Sequence, residues 1–433
     1  MMARHTGESI PKACGSWAEV MGAYRLLSND QVTPDDLQTP HRELARKACA
    51  ELPVVLAVSD ITYLDFTGRT GISGLGCIGH GVGRGLKQYT TLAVTPEGSV
   101  LGVLWQRWIR QDRVPKNETR RQRHARWCVS DIWSEGAEAV GSIEGCRVIH
   151  VADREADVFV FMDTCFKVGA GFLVRAGQDR RLAGEDERLW EHVATQKVMD
   201  RFEVPVSRHQ SWYRNEQRVA RTAKVSLRVA QVRIPPPQGH QRERIKNAPT
   251  HAVYAVHVLE EHPPKGEQIV PLEWMLLTSE KVESAADARR IVQWYTRRWV
   301  IEEFHRAEKE GCRLEATQLD AAEDIERLAA ITAVSAVRLL QLRDAADPKS
   351  PQADNPRALR GTVDKQILRV VSILTGIAQS KLTPHLLLTA IAKRGGWLGR
   401  KNDPRPGWKC IWRGWHDITL MAAGASLLAH GSS

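Results

Sequence analysis

The chain has 433 residues, 42% of them hydrophobic, which is enough for two or three domains with buried cores. Its net charge of +10 and pI near 9.3 favour an anionic partner, most simply nucleic acid. Its eight cysteines form no CxxC pair, which argues against a zinc ribbon or disulfide framework and for a reducing compartment. No apolar run approaches membrane-spanning length and the N-terminus lacks a signal-peptide core, so the expectation is a cytosolic protein.

The first fifty residues read as short helices; "SWAEVMGAYRLLSND" has apolar residues at helical spacing and ends on turn formers. "LPVVLAVSD" is a continuous apolar run ending in an acid, the pattern of a buried central strand that surfaces at Asp60. A glycine-rich passage follows, then two strand-like runs, "YTTLAVT" and "VLGVLWQRWI". The basic segment "TRRQRHARWCVSDIW" has helical potential. "CRVIHVAD" repeats the strand-then-acid pattern and ends at Asp153, before helical "EADVFVFMDTCFKV" and strand-like "GFLVRAG".

Between about residues 181 and 278 the period changes to two. In "AKVSLRVAQVRI", Val225, Leu227 and Val229 alternate with Lys224, Ser226 and Arg228, as in a half-buried antiparallel strand. From "SAADARR" the chain turns helical: Ser284 with Asp287 makes a capping box, and Gly311 marks a stop. One helix over that span would be about 39 Å long. "RDAADPKSPQADNPRA" reads as a linker, and the last eighty or so residues as helical with several tryptophans.

Three features are candidates for chemistry. "GLGCIG" fits GxGxxG, but more glycines and a strand-like run follow where a dinucleotide site needs a helix, so it reads as a loop. Asp60 and Asp153 sit at the ends of apolar strands, where α/β folds present catalytic groups. With a third acid on a later helix they would suit hard divalent cations. In "YTRRWVIEEFHRAEK", an unbroken helix would bring Tyr295, Arg298, Glu302, His305 and Lys309 into an arc of roughly 80°, with Glu303 about 100° away. That face is either a solvated stripe with an Arg298–Glu302 pair or a carboxylate set among phosphate-gripping cations.

The spacing Tyr295-x2-Arg298-x3-Glu302-x6-Lys309 resembles the YREK motif of bacterial DDE transposases of the insertion-sequence-four type. "VSDITYLDF" and "ADREADVF" resemble that family's segments around its first two catalytic aspartates, and "PLEWMLLTSEKVES" the stretch before its glutamate. "IAKRGGWLG" and "WRGW" are similar too, so the likeness covers most of the chain from about residue 20.

The resemblance implies an α/β fold with an RNase H-like catalytic core, a mixed central sheet flanked by helices, carrying an antiparallel β-insertion. It implies three regions: residues 1–40 as a remnant of a helical DNA-binding domain, 41–345 as the catalytic domain, and 346–433 as a helical dimerisation domain. Asp60, Asp153 and Glu302 would be the catalytic triad and the ligands of two Mg²⁺ ions, with Mn²⁺ able to substitute. Tyr295, Arg298, Lys309 and Arg175 would contact DNA phosphates, and Trp274 would stack on a flipped base; Arg306 stays open between phosphate and solvent. The implied activity is cut-and-paste transposition. Transposon ends are cleaved through a hairpin and joined to target DNA by a homodimer on paired terminal inverted repeats, in a bacterial, nucleoid-associated setting. The family's first DNA-binding helices have no counterpart before "WAEVMGAYR", so an alternative expectation is an inhibitor that dimerises with full-length transposase.

Overall fold

A computed structural model describes residues 7–430, apart from 80–81, 113–116, 120–125, 207–208, 212–215, 219, 238–244, 246, 265–269, 360–362, 401–402 and 404. Most of the basic segment between Arg120 and Arg126 therefore lies outside the described residues; the helix beyond it starts at Asp131. The N-terminal helices are Ile10–Ala13, Trp17–Leu27 and Pro34–Ala50. The last opens on a capping box in which Thr33 and Asp36 satisfy each other's backbone N–H groups.

The first five strands are β1 (Val54–Asp65), β2 (Gly76–Ile78), β3 (Gly83–Val94), β4 (Val100–Ile109) and β5 (Arg147–Ala152). β6 (Gly171–Arg175) follows β5 through the helix Phe159–Lys167, the crossover that a parallel neighbour needs. Across the sheet the order is β4-β3-β1-β5-β6, with β3 antiparallel to both neighbours and β1 parallel to β5. This mixed five-stranded order with one reversed strand is the RNase H-like arrangement. In the glycine-rich passage "GCI" forms β2, a short strand on the end of β3, where a dinucleotide site would need a helix.

β1 runs five residues past the expected end at Asp60, because Ile61 to Asp65 stay paired with β3. The insertion contributes β7 (Asp200–Val206), β8 (His209–Ser211), β9 (Glu216–Arg218), β10 (Arg221–Ile234), β11 (His251–Glu260) and β12 (Glu273–Thr278). β12 pairs antiparallel with β6, so β12-β11-β10-β7 extends the central sheet to ten strands, while β8 and β9 form a separate ribbon.

Both faces of the centre are buried. Alternation along β1 turns Leu56 and Val58 to one core and Val55 and Ala57 to another. Helices Asp131–Val140 and Phe159–Lys167 cover one side, where Trp133 and Phe161 pack with Tyr89, Phe172 and Val174. Helices Ala285–Thr296 and Trp299–Arg306 cover the other, where Ile291, Ile301 and Phe304 pack on Val58, Val151 and Leu173. Each such buried side chain contributes about 1.5–3 kcal/mol.

The expected single helix from Ser284 to Gly311 is three pieces. The Ser284–Asp287 capping box is present, but the first helix ends at Thr296 and a new one begins at Trp299. A π-helical turn, Ala307–Gly311, follows. Beyond it the long helix Ala322–Ala345 packs on β4 and the helix Pro34–Ala50. Towards the C-terminus the helices Lys365–Thr375, Pro384–Arg394 and Trp408–His430 share the core of the second sheet face through Val371, Leu387, Ile391 and Ile411. Gly395 of "RGGW" and Gly414 of "WRGW" let two of these helices touch backbone to backbone, since a Cβ on either would run into the other segment's carbonyl.

Candidate active site

Strand parity selects the residues that meet under the second face. Asp60 shares the parity of Leu56 and Val58, Asp153 that of Val151, and Arg175 that of Leu173. All three therefore belong to the face covered by the helices that carry Tyr295, Arg298 and Glu302. Asp153 follows the last residue of β5, and its carboxylate caps a 3₁₀ turn by accepting from the Glu155 N–H at 3.0 Å. Asp60 lies mid-strand, opposite Thr90 of β3, with its carboxylate accepting from the Ile61 N–H at 2.9 Å.

Arg298 joins the acids. Its guanidinium donates to Glu302 at 2.5 Å and lies 3.7 Å from the Asp60 carboxylate. It sits in the break between the two helices, a position that sequence alone assigns to the middle of one helix. The Asp60 carboxyl is pushed up to about 7, first by burial, then by the negative charge of Asp153 and Glu302, against the lowering pull of Arg298. Three acids and one cation thus leave the cluster short of positive charge. The three carboxylates do not all converge to within 4.8 Å; among the described residues, the one group that does is Glu185, Glu187 and His192 on the insertion.

The remaining candidates take up different surroundings. Tyr295 is buried, only 6% exposed, with its ring edge-on to Trp274 at 5.2 Å between centroids. Burial raises its phenol, while Arg298, Arg175 and Arg154 act the other way. Arg175 ends β6 and donates to the Glu273 carbonyl at 2.8 Å, next to Trp274. Lys309 donates to the Tyr63 carbonyl at 2.7 Å and pairs with Glu315 at 3.0 Å. Beyond Glu302 the arc is not one exposed face: His305, still in the α-helix, is buried, its imidazole pushed down to about 3 mainly by burial, and Lys309 lies in the π turn, where the pitch changes. Glu303 pairs at 2.7 Å with Arg343 of the long helix, on the other side. Arg306 is exposed.

Sequence reasoning missed Arg154 and Glu308. Arg154 directly follows Asp153 and acts electrostatically on Tyr295. Glu308 is fully buried. An acid beside every motif lysine looks like ordinary charge pairing, so only the fold reveals it. No described helix is long and apolar enough to cross a membrane.

The chain is similar over 93% of its length to 71% of a piggyBac transposase in a synaptic complex with hairpin DNA, at 9% identity and a TM-score of 0.38. That likeness is weak, and the fold assignment rests on the strand order above. Residues 1–32 match the family described as transposase DNA-binding. Residues 137–337 match the family described as transposase DDE domain, a span that contains Asp153 and Glu302 and leaves Asp60 outside. Two segments of the chain thus match transposase families, one described as a DDE domain and the other as DNA-binding.

Proposed function

We propose that this protein is a cut-and-paste DNA transposase of the insertion-sequence-four, YREK type, whose transposon-five enzyme "YTRRWVIEEFHRAEK" resembles. Asp60, Asp153 and Glu302 are its catalytic triad, and DNA carrying the element's ends is its substrate. The observation that carries this reading is the gathering of three acids from β1, the end of β5 and a helix around Arg298, inside a chain with a transposase DDE domain.

The donor set fits a hard divalent cation: the ligands are all carboxylates, and burial plus mutual repulsion leaves Asp60 in need of positive charge. Asp60, Asp153 and Glu302 would hold two Mg²⁺ ions, or Mn²⁺ in their place. Bound ions supply charge that favours attack on a phosphodiester and stabilises the leaving oxygen. Arg298 holds Glu302 and Asp60 together and would offer its guanidinium to a phosphate of the bound DNA. Arg175 and Arg154 bind flanking phosphates, fixing register without reading sequence. Trp274, backed by buried Tyr295, offers a ring face to an unstacked base. Lys309 reaches phosphate by exchanging its Glu315 partner. Residues 346–433 supply the contacts of a homodimer on paired ends, and residues 1–40 bind DNA.

The test uses a supercoiled plasmid bearing the gene with its flanking DNA. The parent should nick it at the element's ends with Mg²⁺, and Glu302→Ala should lose activity by about three orders of magnitude while still shifting the DNA in a gel. Equal nicking by that variant would sink the assignment. A parent that by itself neither shifts nor nicks DNA carrying the ends would favour an inhibitor that dimerises with a longer transposase.

A further inference from the structure

Asp60 is one end of a polar row that crosses three strands. It pairs in register with Thr90 of β3, which pairs with Gln106 of β4. Gln106 donates to the Thr90 hydroxyl at 2.9 Å and accepts from Gln38 of the helix Pro34–Ala50. Gln38 is held in turn by Arg42, which donates to it at 2.8 Å, and donates to the Ala330 carbonyl at 3.2 Å. On the next row Gln88 accepts from the Trp108 indole at 2.8 Å. Gln38, Gln88, Thr90 and Gln106 are at most 2% exposed.

Glu308 closes this network from the helix side. It lies in the π-helical turn that ends the segment carrying Glu302, and its Oε2 accepts a hydrogen bond from Gln88. Its Oε1 has no hydrogen-bond partner. The other groups facing it are Gln106, Lys309 and Cys312. Of these only Lys309 is cationic, and its ammonium is engaged by the Tyr63 carbonyl and Glu315. A carboxylate so buried, facing the neutral amides of Gln88 and Gln106 and a lysine engaged elsewhere, is costly as an ion and stable as a neutral acid. Burial accordingly pushes its carboxyl up to about 8. π-turns interrupt helices most often beside functional sites, because the wider turn re-aims side chains.

We propose that Glu308 is a positioning residue: hydrogen-bonded to Gln88, it clamps the end of the Glu302 helix onto β3 and so sets the distance between Glu302 and Asp60. This rests on the triad assigned above. The clamp acts on both ends of that distance. It holds β3, whose Thr90 flanks Asp60, and it holds the turn that follows Glu302.

The test compares Glu308→Gln and Glu308→Leu in the full chain. The readouts are Mg²⁺-dependent nicking of the same plasmid and binding of Mn²⁺ by electron paramagnetic resonance, with melting as the check on folding. Glu308→Gln, neutral and still able to accept from Gln88, should stay within about twofold of the parent in both readouts. Glu308→Leu should lose about tenfold or more in kcat at unchanged KM for DNA and bind Mn²⁺ correspondingly more weakly, the scale of losing a partner behind a metal ligand. A merely structural role would lower the melting temperature and leave kcat and Mn²⁺ affinity alone, and that result overturns the proposal. So does equal loss in Glu308→Gln, which would mean that an ionised carboxylate is required. Should Glu308→Leu not fold, Gln88→Met removes the same bond from the strand side; parental kcat and Mn²⁺ affinity there overturn the proposal as well. A parent that fails to nick DNA would count against the transposase reading, and the Mn²⁺ titration would still decide this one.

Discussion

The two faces of the central sheet are built from the same strands and differ in what they bury. One face packs Tyr89, Trp133, Phe161 and Phe172 with few polar groups between them, Tyr89 lying edge-on to Trp133 at 5.2 Å between centroids. The other carries Asp60, Thr90, Gln106, Gln88 and, from the helices above, Arg298, Glu302 and Glu308 among its apolar residues. Alternation along a strand makes this division possible, since neighbouring residues such as Ser59 and Asp60 face opposite ways. The apolar face provides stability without restricting chemistry. The polar face carries buried acids that cost stability and gain function only when cations or substrate arrive.

Truncating the apolar face should have the largest effect on folding. Trp133→Ala is expected to destabilise by about 3–5 kcal/mol, read from denaturant unfolding, with activity per folded molecule unchanged. If activity fell further than the folded fraction, the two faces would not be separable. The converse holds for Asp60. Its carboxyl is raised in the folded state, so the stability linked to it is complete below the ordinary carboxylate range and lost as pH rises towards about 7. Asp60→Asn should therefore abolish cleavage yet become more stable than the parent by an increasing margin, of order a few kcal/mol at most, between about pH 4 and pH 7. A constant margin across that range would remove the electrostatic argument for a cation-hungry site. The smallest effect belongs to the rim. Trp274→Ala should cost about 1–3 kcal/mol in binding or reaction of hairpin-forming DNA, and little in nicking of an end; equal loss in both would point to a packing role against Tyr295.

Much of this was legible in the residues, and the failures have identifiable causes. The apolar runs before Asp60 and Asp153 marked the central strands, and the period-two segments marked the insertion. The end of β1 was misread because "ITYLD" looks polar after "VVLAV", while its backbone still has β3 as a partner through Asp65. The broken helix was illegible because "TRRW" contains neither proline nor glycine, and its interruption follows from fitting Tyr295 under Trp274 and Phe304 onto the sheet. The linker "RDAADPKSPQADNPRA" is ordered in part: Ala353 is buried and its carbonyl accepts from the His385 N–H at 3.0 Å.

By itself the sequence determined the kinds of elements, the identity of the acids and cations, and their order, because periodicity and motif spacing are local properties of the chain. Only the tertiary structure decided that Arg298 lies between Asp60 and Glu302, that Lys309 is engaged by Tyr63 and Glu315, and that Glu308 is buried against Gln88. Those facts depend on where a helix break and a π turn fall and on which strand lies beneath them. Such long-range packing outweighs the regular geometry that local sequence predicts.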